Sequence, residues 1–471
     1  MKLLLPLILI AVFFNGCRRP ETLQVHLTGI IQNPTGEPVE LVFFTDFTNN
    51  EREIITLVLD PENRFDVSFD IPGPISANLR NGRNSLQLFL SPGDKLHLEV
   101  DANDWINTLA VSGEDAVVNA FFVEYQRELG INLGTPFFNN AAMISTAEGF
   151  KNIVDSVVNV QLGFLNNHAS AGALTEEFTA FFNAEIQYGA KNRLLSYPAI
   201  HQRLNQLEQP AVIPPGFFDF LNDPGLFNDN LLHSEAYANF LLNFLGYHYG
   251  LNPDRFLEGT SLNEINYKLA GELIPGLSGE FARAISINRE FNFGEIEKAR
   301  AMLDNFLATA VSDDLKGRIT RTWDAIQALM PGRPAPDFTL TDINGQQVSL
   351  SDFKGKVVYL KFWASWCGPC MRQVPPAKEL KNRLADQNDL VFLYVSIDTD
   401  NNAWRTTVEH HGITGTHLVT PGRERGAPAL YQVKWIPTFY IIGRDGNIFD
   451  NRPPQPSDPN VDEVLLKALA N

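Results

Sequence analysis

The sequence predicts a multi-domain chain in which an all-β module and an α-helical region precede a C-terminal α/β domain. Three observations lead there. At 471 residues the chain exceeds one ordinary domain and suits two to four of about 100–200 residues each. Apolar residues alternate with period two near the front and then shift to helical spacing. Beyond about residue 330, continuous apolar strands alternate with helical stretches. The composition, 44% hydrophobic and 20% charged, is that of globular protein. A formal net charge of −18 repels phosphate backbones, so nucleic acid is not an expected partner.

The first element is a targeting segment. Met1-Lys2 precedes an apolar run from Leu3 to Phe14, broken only by Pro6. At about twelve residues it is shorter than the ~20 a membrane-spanning helix needs, so residues 1–16 read as a signal peptide. Gly16 then stands directly before Cys17. A small residue before a cysteine, just after the apolar run, resembles a bacterial lipoprotein cleavage site. That resemblance implies a lipidated Cys17, a membrane lipid anchor and a periplasm-facing place in the cell envelope. Phe14 and Asn15 depart from the usual pattern. An ordinary signal peptide with a chance cysteine and an uncleaved anchor are the other readings.

Residues 17–113 form the expected β-rich module. Thr22 to Gly29 alternates polar and apolar, the mark of a half-buried strand. Ile54–Leu59 and Arg64–Phe69 flank Asp60-Pro61-Glu62-Asn63, and Leu86–Leu90 and Lys95–Val100 flank Ser91-Pro92-Gly93-Asp94. Both breaks carry turn chemistry consistent with hairpins, and the spacing predicts a small antiparallel sandwich or barrel. Residues 114–330 read as helical. Val117, Phe121, Phe122 and Tyr125 share one face, as do Phe178, Phe181, Phe182 and Ile186. Pro210, Pro214, Pro215, Pro224 and Pro253 divide the region into several helices. The cluster Phe217-Phe218-Asp219-Phe220 admits a ligand groove or an ordinary core, and the core is the plainer expectation.

Residues 331–471 form the α/β domain, entered through the linker-like stretch Met330 to Pro336. Asn344-Gly345 signals a hairpin within Phe338–Phe353. Lys356–Ala364 and Leu390–Ile397 are continuous apolar strands of the kind buried in a parallel sheet. Helical stretches end near Gln387 and span about Asn402–Gly412. Thr438–Ile442 and Asn447–Phe449 flank Arg444-Asp445-Gly446 as a last hairpin before a terminal helix.

Chemistry concentrates in the cysteines. There are three: Cys17, Cys367 and Cys370. The last two are too close in sequence to staple much chain, which suits reactivity better than architecture. A Cys-x-x-Cys pair can bind zinc or act as a redox dithiol. Zinc needs about four ligands, and the chain has no second pair. His410-His411 is its only clustered histidine and reads as a solvated helix end. Neither a metal nor a cofactor is expected. The pair follows a buried strand and should open a helix, where unpaired N–H groups and the helix dipole favour a thiolate at Cys367. Pro369 suits an early helical position because its missing N–H is not needed there.

Phe362-Trp363-Ala364-Ser365-Trp366-Cys367-Gly368-Pro369-Cys370 resembles the active site of the thioredoxin family. Pro375 and the loop Trp435-Ile436-Pro437-Thr438-Phe439 resemble that family's helix-kinking proline and cis-proline loop. The lead-in Ala335 to Leu340, with the hairpin and Leu350–Gly355, resembles the membrane-anchored TlpA/ResA branch. The layout of the β module resembles that at the front of thioredoxin-bearing lipoproteins of gut-type bacteria. The resemblance implies a thioredoxin fold over residues 331–471 and thiol–disulfide oxidoreductase activity. It implies that Cys367 attacks a substrate disulfide and Cys370 resolves the mixed disulfide. It also implies that Trp366, Ile436 and Pro437, with a cis Ile436–Pro437 bond, meet the substrate.

Two positions depart from the family. Lys361 stands where thioredoxins commonly hold a buried Asp, and Gln373 stands where the TlpA/ResA branch commonly holds a Glu. Lys361 either points toward the cysteines and tunes their pKa, or carries its ammonium out to solvent. The implied function is a membrane-anchored enzyme reducing disulfides of envelope proteins, supplied by a membrane electron donor. Cytochrome c maturation is one client process the family suggests. A peroxiredoxin is disfavoured because its Thr-x-x-Cys context is absent. The alternative is a ligand- or partner-binding lipoprotein in which the front modules carry the main role.

Overall fold

A computed structural model describes residues 24–471 apart from 35–37, 72, 83, 131–132, 421 and 423–425. The expected signal peptide and Cys17 lie outside the described residues. The front of the chain holds β1 (Val25–Gln32), β2 (Val39–Asp46), β3 (Glu51–Leu57), β4 (Arg64–Phe69), β5 (Ile75–Asn81), β6 (Asn84–Leu90) and β7 (Lys95–Asp101). A short helix, α1 (Trp105–Thr108), leads into β8 (Ala110–Ser112). Two four-stranded sheets result, ordered β4-β1-β7-β8 and β3-β2-β5-β6. Leu27 and Leu98 of one sheet share a core with Leu41, Leu79 and Leu88 of the other. Along β1 every second residue from Val25 to Ile31 is buried, as the alternation predicts. One of them is Gly29, where a Cβ would lie 2.1 Å from the Leu98 carbonyl oxygen, so only glycine fits.

Two expectations for this module are corrected. It is not wholly antiparallel, because β1 pairs parallel with β7. Nor are the breaks at Asp60–Asn63 and Ser91–Asp94 hairpins, since β3 and β4, like β6 and β7, lie in opposite sheets. Turn residues specify that the chain reverses, not which strand it then pairs with. Long-range pairing decides the partner, and here it seats β1 between β4 and β7.

The helical region comprises α2 (Ala116–Tyr125), α3 (Thr135–Ile144), α4 (Ala147–Asn167), α5 (Glu176–Leu204), α6 (Glu235–Leu251), α7 (Leu262–Leu273), α8 (Gly276–Phe293), α9 (Ile296–Thr309) and α10 (Asp313–Gln327). Phe121, Phe122 and Tyr125 of α2 pack with Phe178, Phe181, Phe182 and Ile186 of α5 in one core. Phe217 is also buried, while Phe218 borders an open cavity of about 910 Å³. Side chains join α2 to the edge strand β6. Asn119 accepts from the Phe89 N–H (2.8 Å) and donates to the Phe89 carbonyl (2.7 Å). The Gln126 side chain, one residue past α2, does the same for Gln87, at 2.7 and 2.8 Å.

The last domain runs β9 (Thr339–Asp342), β10 (Gln347–Ser349), β11 (Val357–Trp363), α11 (Gly368–Arg372), α12 (Val374–Arg383), β12 (Leu390–Ser396) and α13 (Asn401–His410). It continues with β13 (Thr416–Val419), α14 (Gly426–Leu430), β14 (Thr438–Ile442), β15 (Ile448–Asp450) and α15 (Val461–Ala470). Its seven strands are ordered β10-β9-β13-β12-β11-β14-β15, a mixed sheet. Central β11 is parallel to β12 and antiparallel to β14, and all of its residues are buried. Val357 and Tyr359 meet α12 and α15 on one face, while Val358, Leu360 and Phe362 face a separate core on the other. Met330–Pro336 is no free linker. The Gly332 N–H donates to the Ile448 carbonyl at 2.7 Å, and Pro334 bridges to Asn447. Among the described residues no helix is long and apolar enough to cross a membrane.

Candidate functional site

The site forms where β11 ends and α11 begins. Ala364-Ser365-Trp366 turns the chain out of the sheet, and a buried carboxylate holds that turn. Asp398, just after β12, accepts from the Ser365 N–H (2.9 and 3.2 Å) and from its hydroxyl (2.6 Å). The Ser396 hydroxyl donates to the same carboxylate at 2.5 Å. Sequence reasoning missed Asp398. Its signal was an acid just past an apolar strand, with Asp400 two residues on, which is too common a pattern to stand out.

Cys367 is the N-cap of α11, and the Cys370 N–H donates to its Sγ at 3.1 Å. The cysteines are joined by a disulfide with an S–S distance of 2.03 Å. Cys370 is completely buried and Cys367 nearly so. Gly368 and Pro369 fill the first helical positions, where an absent N–H removes no bond. α11 ends at Arg372, and α12 resumes at Val374 with Pro375 in its first turn. From across the sheet comes the loop before β14, in which Ile436–Pro437 is cis. The Ile436 carbonyl oxygen lies 3.7 Å from Cys367 Sγ. Trp366, next to Cys367 in the chain, is 68% exposed, and Trp435, next to Ile436, is 47% exposed. The structure therefore brings Trp366, Cys367, Cys370, Ile436 and Pro437 together.

Beneath the disulfide lies Lys361, only 3% exposed. Of its two open placements, the solvent-reaching one is excluded. Its Nζ donates to the Cys370 carbonyl at 3.4 Å and sits 5.6–5.8 Å from the ring centres of Trp363, Tyr394 and Phe439. Burial pushes the ammonium pKa down to about 8. His417 stacks on Tyr394, and burial lowers its pKa to about 4. Lys381 covers the Phe392 and Tyr394 rings, and burial lowers it to about 8 as well. Among the described residues Lys361 makes no ion pair with a carboxylate. Gln373 is turned to another task. Its amide donates to the Ser457 hydroxyl (3.0 Å) and accepts from the Ser457 N–H (3.1 Å). His410 and His411 are exposed at the end of α13, and no group of three His, Cys, Asp or Glu among the described residues could hold a metal ion.

The redoxin family profile matches residues 330–465. The thioredoxin-like protein YneN of Bacillus subtilis is 34% identical over 123 residues, 26% of this chain and 71% of the relative. The thiol–disulfide oxidoreductase ResA of Bacillus thuringiensis is 29% identical over 136 residues, 29% of this chain and 77% of the relative. Among solved structures, the thioredoxin domain of a thiol–disulfide oxidoreductase from Bacteroides vulgatus matches at 23% identity and TM-score 0.27, covering 30% of this chain and 99% of that one.

Proposed function

Because the chain belongs to the redoxin family of thioredoxin-like thiol–disulfide oxidoreductases, we propose that its Cys367/Cys370 dithiol reduces disulfides of envelope proteins from a lipid-anchored position. One observation carries the reading. The paired sulfurs sit at a helix start, with the Cys370 N–H on Cys367 Sγ and the Ile436 carbonyl 3.7 Å away. In the reduced protein, the Cys367 thiolate attacks one sulfur of a client disulfide. A mixed disulfide forms and the first client thiolate leaves. The Cys370 thiolate then attacks Cys367 Sγ, releasing the second client thiolate and closing the Cys367–Cys370 disulfide. Two electrons pass to the client, and a membrane dithiol donor restores the pair.

The roles of the neighbours follow from position. The helix-start N–H group stabilises Cys367 as attacking or leaving thiolate. Ile436, with Pro437 behind it, offers its backbone to a client chain lying beside the sulfur. Trp366 shields the sulfur from water on its exposed side. Lys361 favours the ionised form of the resolving thiol, taking up a task that a carboxylate base has elsewhere in the family. Lipidation at Cys17 would supply the anchor.

A second reading, in which the front modules bind a ligand of their own, has one observation behind it. A cavity of about 360 Å³ lies between the β module and the helical region, lined by Phe44, Ile75, His233, Phe281 and Leu315 among others. Trapping separates the two readings. Full-length protein carrying Cys370→Ser should hold clients as mixed disulfides on Cys367, released by dithiothreitol and absent when Cys367→Ser is added. Absence of any trapped protein in envelope extracts would count against the exchange reading.

A further inference from the structure

The dithiol shares its surface with the helical region. Cys367 Sγ and the Ile436 carbonyl are 3.7 Å apart, and the residues next to them in the chain, Trp366 and Trp435, are both exposed. Trp435 does not stand alone. Its ring lies 5.5 Å, centroid to centroid, from that of Phe293, the last residue of α8. Phe293 is itself 62% exposed. The Phe293–Trp435 pair thus carries exposed apolar surface from the loop that meets Cys367 onto the helical region. Large apolar side chains left in water beside a reactive group mark a contact surface.

Beyond the Phe293–Trp435 pair opens a cavity of about 210 Å³, whose lining includes Phe44, Phe293 and Trp435 and three charged residues, two cationic (Arg52 and Arg289) and one anionic (Glu235). Arg289 is exposed by surface area, yet the surrounding protein partly desolvates its guanidinium and lowers its pKa, and it makes no ion pair or hydrogen bond with any described residue. In a chain of net charge −18, an unneutralised guanidinium beside exposed aromatic rings selects for a carboxylate on whatever docks there. The surface is also braced. Arg452 donates to the carbonyls of Phe291 and Gly294 at the end of α8. Lys434 pairs with Glu51 at 3.3 Å, and the Asn288 amide donates to the Thr48 carbonyl at 3.0 Å. These contacts fix α8, the β2–β3 connection and the Trp435 loop against one another.

We propose that the client-docking surface continues from the dithiol across Trp435 onto the end of α8, where Phe293 and Arg289 form a subsite for an extended client stretch carrying an apolar and an acidic residue beside its cysteine. The continuity of this surface with the exchange site argues for a disulfide-bearing protein as the occupant. The proposal rests on the exchange reading above and gives the helical region a share in choosing clients.

The test uses full-length, pre-reduced protein and three oxidised probes. One is bis(2-hydroxyethyl) disulfide, which is small and neutral. The second is a peptide closed by one disulfide with Phe and Glu beside a cysteine, and the third has Lys in place of that Glu. Reduction is followed by chromatography of acid-quenched samples. Wild type should prefer the Glu peptide. Phe293→Ala should slow the Glu peptide by about tenfold and the small disulfide by less than about twofold. Arg289→Glu should invert the Glu-over-Lys preference, and Arg289→Lys should retain it. Both residues are exposed, so neither change removes core packing. Peptide rates untouched by these substitutions overturn the proposal, as does slowing shared equally by the small disulfide. Inertness of wild type toward all three probes would instead overturn the exchange reading.

Discussion

Lys361 is a buried cation directly beneath the disulfide. A buried ammonium with no carboxylate partner is costly to hold, and its pKa, lowered by burial to about 8, records that cost. The sign follows from proton counting. Below about pH 8 the lysine is charged in both folded and unfolded chains, and the penalty is complete. Between about 8 and the ordinary 10.5 the folded state gives up its proton first, so stability rises with pH. Lys361→Met should therefore stabilise the protein at pH 7 by about 1–3 kcal/mol in urea unfolding, with the gain shrinking above pH 8. In the reduced protein the same substitution should raise the titration midpoint of the resolving thiol, read from thiolate absorbance. An unchanged midpoint would remove Lys361 from the chemistry and leave it a packing residue. Around the same pocket, burial keeps the Tyr394 phenol protonated, while His417 and Lys381 can ionise only to cations, so none of them offers the missing negative charge.

At the scale of the element, the junction between β6 and α2 shows how two modules are welded without a shared sheet. β6 ends its sheet, and an edge strand presents unpaired N–H and C=O groups. Asn119 and Gln126 satisfy those of Phe89 and Gln87 with side-chain amides that imitate a neighbouring strand. The Asn119 amide is buried, so its loss strands both backbone groups of Phe89. Asn119→Ala should cost about 1–3 kcal/mol in chemical denaturation. Gln126→Ala, at a more exposed place, should cost less than about 1 kcal/mol. Equal, negligible effects from the two would mean that packing of Phe121 and Phe122, not the amide pair, holds α2 in place.

For the whole molecule, the question is whether the C-terminal domain moves as part of the rest. Arg452 is one of the bonds tying it to α8, with its guanidinium on the last carbonyls of that helix, where the dipole favours a cation. Arg452→Ala should weaken this docking by about 2 kcal/mol. Differential scanning calorimetry should then show two separated transitions where the wild type shows coincident ones. Coincident transitions in the variant would assign the coupling to the Lys434–Glu51 pair and the Phe293–Trp435 contact instead.

The reaction type was legible in the sequence because its signals are local. Cys367 and Cys370 are separated by one helical turn, Pro369 belongs at a helix start, and an apolar strand delivers both. Such features depend on residues close in sequence, as do the alternation of β1 and the helical faces of α2 and α5. The parallel pairing of β1 with β7, the sheets to which β4 and β7 belong, the short strand β13, and the binding of Gln373 by Ser457 depend on partners far along the chain. No local pattern encodes which of several apolar strands will meet. Lys361 marks the boundary between the two kinds of information. Its position before the cysteines was evident from the chain, but a lysine can bury its stem and still reach water. Only the rings of Trp363, Tyr394 and Phe439, assembled from three strands, close that route and leave its charge beneath the disulfide.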